Sequence, residues 1–119
     1  MLIEMDYHDV CFMKDIDEMG FFAIYDKVFY KNKPYKAVDL IDGKEVKVPA
    51  MQPVVRVEYM RGKVSDETTF KKIKLWNMFS HGGVLYLKVD ESMAIAVNKR
   101  EIKEFFPKNE VFRIEMVEC

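Results

Sequence analysis

Two apolar runs, Val84–Val89 and Met93–Val97, flank Asp90-Glu91-Ser92. They constrain the fold more than any other stretch of this chain. A three-residue loop there opposes Val89 to Met93, Leu87 to Ile95 and Leu85 to Val97. Strand side chains alternate, so all six share one face, while Tyr86, Lys88, Ala94 and Ala96 take the other. The spacing predicts an antiparallel hairpin.

The rest of the chain reads as short elements separated by turns. Tyr35–Leu40 and Lys44–Val48 form a second hairpin. A loop Ile41-Asp42-Gly43, with Gly43 left-handed, would oppose Val38 to Val46 there. Phe21–Tyr30 reads as one long strand bent near Asp26-Lys27, and Val54–Met60 as a strand with Val55, Val57 and Tyr59 inward. Residues 111–117 read as a closing strand with Phe112, Ile114 and Met116 inward. The first thirteen residues read as one or two short strands.

Two helices are expected. Asn98-Lys99-Arg100-Glu101 has the form of a capping box, and Ile102, Phe105 and Phe106 follow on one side of a helix over about 99–106, stopped by Pro107. Residues 66–79 begin at Ser65-Asp66-Glu67 and end at His81-Gly82, which are helix start and stop signals. Their apolar residues point in every helical direction, and Lys72-Ile73-Lys74-Leu75 alternates, so a strand pairing Leu75 with Leu87 competes. No internal repeat, low-complexity run or linker is evident.

The sequence therefore points to an α+β class, predominantly antiparallel β: a strongly curved or barrel-like sheet of short strands with one or two short helices. At 119 residues a single domain spanning 1–119 is expected. Cys11 and Cys119 read as free thiols. The acidic N-terminus does not resemble a secretory leader, and no run is long enough for a membrane helix. The expected setting is cytoplasmic.

Charge is sorted along the chain. Residues 1–26 carry seven acids and one base, a net of −6, while residues 27–74 carry twelve bases and six acids, a net of +6. The basic middle interleaves lysines with aromatics. Lys27, Tyr30, Lys31, Lys33, Tyr35 and Lys36 form one cluster. Arg56, Arg61, Lys71, Lys72, Lys74 and Trp76 could extend it. Cations for phosphates and ring faces for bases are what a single-stranded nucleic-acid or nucleotide site requires. Against that, lysines also guard strand edges, the isoelectric point is 6.1, and lysine outnumbers arginine, the better phosphate fork.

Other constellations are weaker. Asp15, Asp17 and Gly20 match half a calcium loop, but Met19 and Asp26 occupy positions that need oxygen ligands of another kind. His8, Cys11, His81 and Cys119 would have to converge from distant places to hold zinc. Ser80-His81-Gly82-Gly83 reads as a turn, without triad spacing. No cofactor, metal site or catalytic residue is expected.

The leading expectation is a small non-catalytic binding or regulatory protein acting through protein–protein contacts, with self-association as a homo-oligomer among its modes. Nucleic-acid binding through 27–36 and 56–76 is second, an enzyme of unknown class third.

Overall fold

A computed structural model describes residues 3–25 and 27–114. The chain divides into two compact units, Asp6–Tyr59 and the stretch from Met60 onward together with the first few residues.

Twelve strands are present among the described residues. The first six are β1 (Ile3–Phe12), β2 (Phe21–Ile24), β3 (Lys27–Lys33), β4 (Lys36–Asp39), β5 (Glu45–Lys47) and β6 (Pro53–Gly62). The second six are β7 (Val64–Thr69), β8 (Met78–His81), β9 (Val84–Lys88), β10 (Met93–Ala96), β11 (Glu101–Glu104) and β12 (Glu110–Ile114). Two 3₁₀ turns, Met13–Asp15 and Phe70–Lys72, supply the helical residues. The strands make two six-stranded sheets, ordered β1-β6-β2-β3-β4-β5 and β7-β12-β8-β9-β10-β11.

The two orders are the same order. Each strand of the first sheet has its counterpart six strands later, and the residue offset is constant at 57. Met13 matches Phe70 at the start of each 3₁₀ turn. The N–H of Met13 donates to Gln52 O and that of Phe70 to Asn109 O, both at 2.9 Å. Leu40 N to Val28 O recurs as Val97 N to Leu85 O, and Val48 N to Tyr35 O as Phe105 N to Ser92 O. Left-handed residues recur in the same way: Met19 with Trp76, Tyr25 with Gly82, and Gly43 with Arg100.

The cores repeat as well. Met13, Ile16, Phe22, Phe29, Ala37, Val48 and Val54 cluster in the first module. Phe70, Ile73, Phe79, Tyr86, Ala94, Phe105 and Val111 cluster in the second. Each of these sits 57 residues from its counterpart; the second cluster also holds Ala96, whose counterpart is Asp39. Phe22 stacks on Phe29 at 5.3 Å, as Phe79 stacks on Tyr86 at 5.5 Å. The chain is thus a structural tandem repeat without insertion or deletion between residues 12–57 and 69–114. Sequence inspection misses it because few pairs are identical: Lys14/Lys71, Ile16/Ile73, Phe22/Phe79, Lys31/Lys88, Ala37/Ala94, Val54/Val111 and Arg56/Arg113. Core positions need only apolar bulk, so the rest could diverge.

The α+β expectation is overturned. Both expected helices are absent, and the sheets do not close into a barrel. Residues 66–79 are β7, a 3₁₀ turn and the start of β8. Residues 101–104 are an exposed edge strand pairing with β10, with Ile102 opposite Ile95. The apparent capping box is part of a five-residue turn over Ala96–Arg100. Arg100 is left-handed there, and its N–H donates to Ala96 O. Asn98 instead turns its amide onto the backbone of Met60, donating to Met60 O and accepting from Met60 N, each at 2.7 Å.

Other strand readings need smaller corrections. Phe21–Tyr30 is two strands, since the bend is a reverse turn that opposes Phe21 to Tyr30. The β4–β5 register is one residue off, with Ala37 opposite Val46. Asp39 accepts from Ile41 N and Gly43 N donates to Asp39 O, which closes a longer turn than expected. Val46 is exposed, so no buried face enforced the expected register. In β6, Val54, Val57 and Met60 are buried while Tyr59 is exposed. In β12, Val111 and Ile114 are buried and Phe112 is exposed, with a bulge between Phe112 and Ile114. Met116 lies outside the described residues. The β9–β10 hairpin keeps its expected register, with Leu87 opposite Ile95. Its second face, carrying Tyr86, Ala94 and Ala96, faces a core of its own.

One polar device recurs inside both cores. Lys31 reaches from β3 to the first 3₁₀ turn and donates to the carbonyls of Met13 and Ile16. Lys88 reaches from β9 to the second and donates to Phe70 O at 3.1 Å and Ile73 O at 2.8 Å. The two residues are only 4% and 7% exposed. Burial pushes the Lys88 ammonium down from the ordinary lysine range, partly offset by Glu91, and its Nζ lies 4.3 Å from the Phe70 ring centroid. Met13 O and Phe70 O already accept from Ile16 N and Ile73 N, so the lysine adds a second donor there and meets the carbonyls of Ile16 and Ile73 at the end of each turn; a buried carbonyl cannot go unpaired cheaply. Replacing Lys88 by Met keeps the apolar stem and removes the donor. Urea denaturation should show a loss of about 1–3 kcal/mol, with the same sign for Lys31→Met.

The repeated left-handed positions give a second expectation. Tyr25 is almost fully exposed with φ +55°, where its counterpart is Gly82 with φ +59°. A side chain with a Cβ is strained there, by about 1–2 kcal/mol. Tyr25→Gly should therefore leave the urea midpoint unchanged or raise it, and Gly82→Tyr should lower it.

Candidate functional site

The residues singled out in the sequence fall into two groups, one in each unit. In the first, β3 and β4 form the hairpin that carries Lys27, Tyr30, Lys31, Lys33, Tyr35 and Lys36. Tyr30 is buried against Phe21, with ring centroids 5.3 Å apart. Burial and the Glu18 carboxylate push its phenol above the ordinary tyrosine range. Lys31 is the clamp described above, so its ammonium faces carbonyls rather than solvent.

The exposed lysines of this hairpin have carboxylates on neighbouring strands. Lys27 lies 3.8 Å from Asp39, Lys33 3.7 Å and Lys36 3.4 Å from Glu45. The register sets Lys36 opposite Lys33 and Lys47, and the lysines reach diagonally to Asp39 and Glu45, so these charges balance locally. Tyr35 and Lys36, with Lys47, Val48 and Pro49, line an open, mostly apolar hollow of about 360 Å³. Arg56 sits on β6 and donates to Asp15 O at 3.1 Å.

The second group is different. Lys71, Lys72, Lys74 and Trp76 all belong to the 3₁₀ turn and the residues that follow it. The Lys88 clamp holds this turn from beneath. Trp76, left-handed with φ +67°, donates its N–H to Lys88 O at 2.8 Å, and Asn77 N bonds Lys74 O. The three lysines are exposed, and among the described residues no carboxylate pairs with them. Leu75 is 49% exposed beside them. Arg61 is exposed on β6, outside this turn.

The repeat exposes what sequence reading passed over. The counterpart of Lys71-Lys72-Ile73-Lys74-Leu75 is Lys14-Asp15-Ile16-Asp17-Glu18. The backbone is the same, with Met19 N to Lys31 O and Gly20 N to Asp17 O repeating the bonds of Trp76 and Asn77. The charge is reversed. Lys72 stands where Asp15 stands and Lys74 where Asp17 stands, so one turn carries three bases and the other one base and three acids. Asp15, Asp17 and Glu18 are exposed, and Phe12 beside them is 38% exposed. Asp15 also accepts from Phe12 N at 3.2 Å. The half-match to a calcium loop therefore falls on this turn. The signal that could have revealed the pairing was the spacing of Lys14-x-Ile16 and Lys71-x-Ile73 ahead of Phe22 and Phe79.

His81 closes the β8–β9 turn, with Nδ1 3.0 Å from Glu110 O and its ring edge-on to Phe105 at 5.3 Å. The side chain of His8 and residue Cys119 lie outside the described residues. Among the described residues no group of three or more His, Cys, Asp or Glu could hold a metal ion, and no helix is long and apolar enough to cross a membrane.

Glu45 gives this region a pH signature. A hydrogen bond from Asn32, together with Lys33 and Lys36, holds its carboxyl below the ordinary glutamate range. A carboxyl depressed in the folded state adds stability above its unfolded pKa, and that contribution fades as pH falls towards the folded value. Stability should fall as pH drops below the ordinary glutamate range, and Glu45→Gln should flatten that part of the curve in urea titrations.

No protein-family model, no characterised protein and no solved structure matches the chain.

Proposed function

We propose that the protein is a small non-catalytic binding protein that acts through protein–protein contacts, with the Lys71–Trp76 turn docking an acidic polypeptide surface. The observation that carries this reading is the unbalanced charge of that turn. Elsewhere Lys27, Lys33 and Lys36 face carboxylates within 4 Å. At this turn three exposed lysines lie within four residues of exposed Leu75. An apolar spot rimmed by like charges suits a partner of opposite charge, which gains both burial and electrostatic steering.

The frame supports the same reading. The turn is fixed by a buried lysine and by backbone bonds at both ends, so little order has to be acquired on binding.

Nucleic-acid binding is the second reading, favoured by Trp76 standing among the three lysines. It receives less support from the first group, since Tyr30 and Lys31 are buried and the flanking lysines are balanced.

Trp76 is the single tryptophan, so its fluorescence reports on the turn directly. Titration at low salt should show saturable binding of a Glu/Asp-rich peptide containing one Leu or Phe. Lys71→Ala/Lys72→Ala/Lys74→Ala should abolish it. A response to a single-stranded oligonucleotide of equal charge, with none to the peptide, would establish the second reading instead.

A further inference from the structure

We infer that the acidic partner of the Lys71–Trp76 turn is the Asp15–Glu18 turn of a second copy of this chain. The inference rests on the binding reading above and names its partner.

Three observations favour a second copy. First, the two turns occupy equivalent places in the two modules and have the same backbone hydrogen bonds, yet opposite charge. Lys72 and Lys74 replace Asp15 and Asp17 one for one. Second, each turn has an exposed apolar neighbour, Leu75 in one case and Phe12 in the other. A contact between them would bury apolar surface inside a rim of opposite charges. Third, the charges are complementary in sign: one turn carries Lys71, Lys72 and Lys74, the other Asp15, Asp17 and Glu18 with Lys14 as its one base. Self-pairing would neutralise both turns, in keeping with an isoelectric point of 6.1.

Every copy carries both turns. Two contacts related by a two-fold axis close a dimer, and the same contact repeated without closure makes a chain.

The repeat itself supplies the test. Asp15→Lys/Asp17→Lys gives the first module the residues that the second already carries at those positions, so both turns become basic. Lys72→Asp/Lys74→Asp does the reverse, and both turns become acidic. Both substitutions place side chains on a backbone frame that already accommodates them, and circular dichroism with urea denaturation verifies folding.

Sedimentation and light scattering at about 0.02 M salt, up to about 1 mM protein, should show the wild type self-associating, and about 0.5 M salt should weaken this strongly. Each variant alone should be monomeric, its dissociation constant raised at least about tenfold. Mixed in equal amounts, the two variants should associate again, because one supplies only basic turns and the other only acidic ones. A wild type that stays monomeric under these conditions overturns the inference, as does a mixture no more associated than its components. If the wild type is monomeric and Trp76 still responds to the acidic peptide, the partner is another protein and the binding reading stands. If the peptide also fails, both fall.

Discussion

A buried lysine under a 3₁₀ turn is the interaction on which each module depends. Without Lys31 and Lys88, the carbonyls of Ile16 and Ile73 would point into apolar surroundings with no donor to meet them. Each ammonium ends at its turn, that of Lys88 over the Phe70 ring. This fixes where β1 hands over to β2, and β7 to β8. It also makes the outer side of the turn a rigid platform, on which Lys71, Lys72 and Lys74 in one module and Asp15, Asp17 and Glu18 in the other are displayed. A polar group buried with its hydrogen bonds satisfied specifies geometry more than it adds stability. Here the specified geometry is that of the candidate surface.

How much of this was legible depended on the element. The β9–β10 hairpin could be read to the register, because bulky Leu87 and Ile95 are fully buried opposite each other while the small Ala94 and Ala96 take the other face. The β4–β5 register could not. Glu45, Val46 and Lys47 are all exposed, and a side-chain bond from Asp39 decided the turn. The two helices failed for a common reason. Helix start and stop signals such as Ser65-Asp66 and Asn98-x-x-Glu101 are also turn signals, and here pairing of β7 with β12 and of β11 with β10 outweighed them. Ile102 illustrates it: taken for a helix's apolar face, it pairs with Ile95 on an edge strand and is more than half exposed.

The candidate site was legible in composition and illegible in arrangement. Sequence showed acidic and basic stretches but not which lysines would be answered. Lys31 looked like one more surface cation and is instead part of the core. Lys33 and Lys36 looked available and are met by Glu45, nine residues or more away along the chain. Lys71, Lys72 and Lys74 have no such neighbour among the described residues, and they share one turn. Nothing local in the sequence encodes that.

The constant spacing of 57 residues has a consequence for how this protein could change. The two modules share loop lengths, strand order and left-handed positions, and differ almost wholly in the side chains mounted on them. Surface character can therefore be transcribed from one module to the other residue by residue, with no loop to refit and no register to renegotiate. Affinity and partner choice can drift at the turns while the scaffold stays untouched.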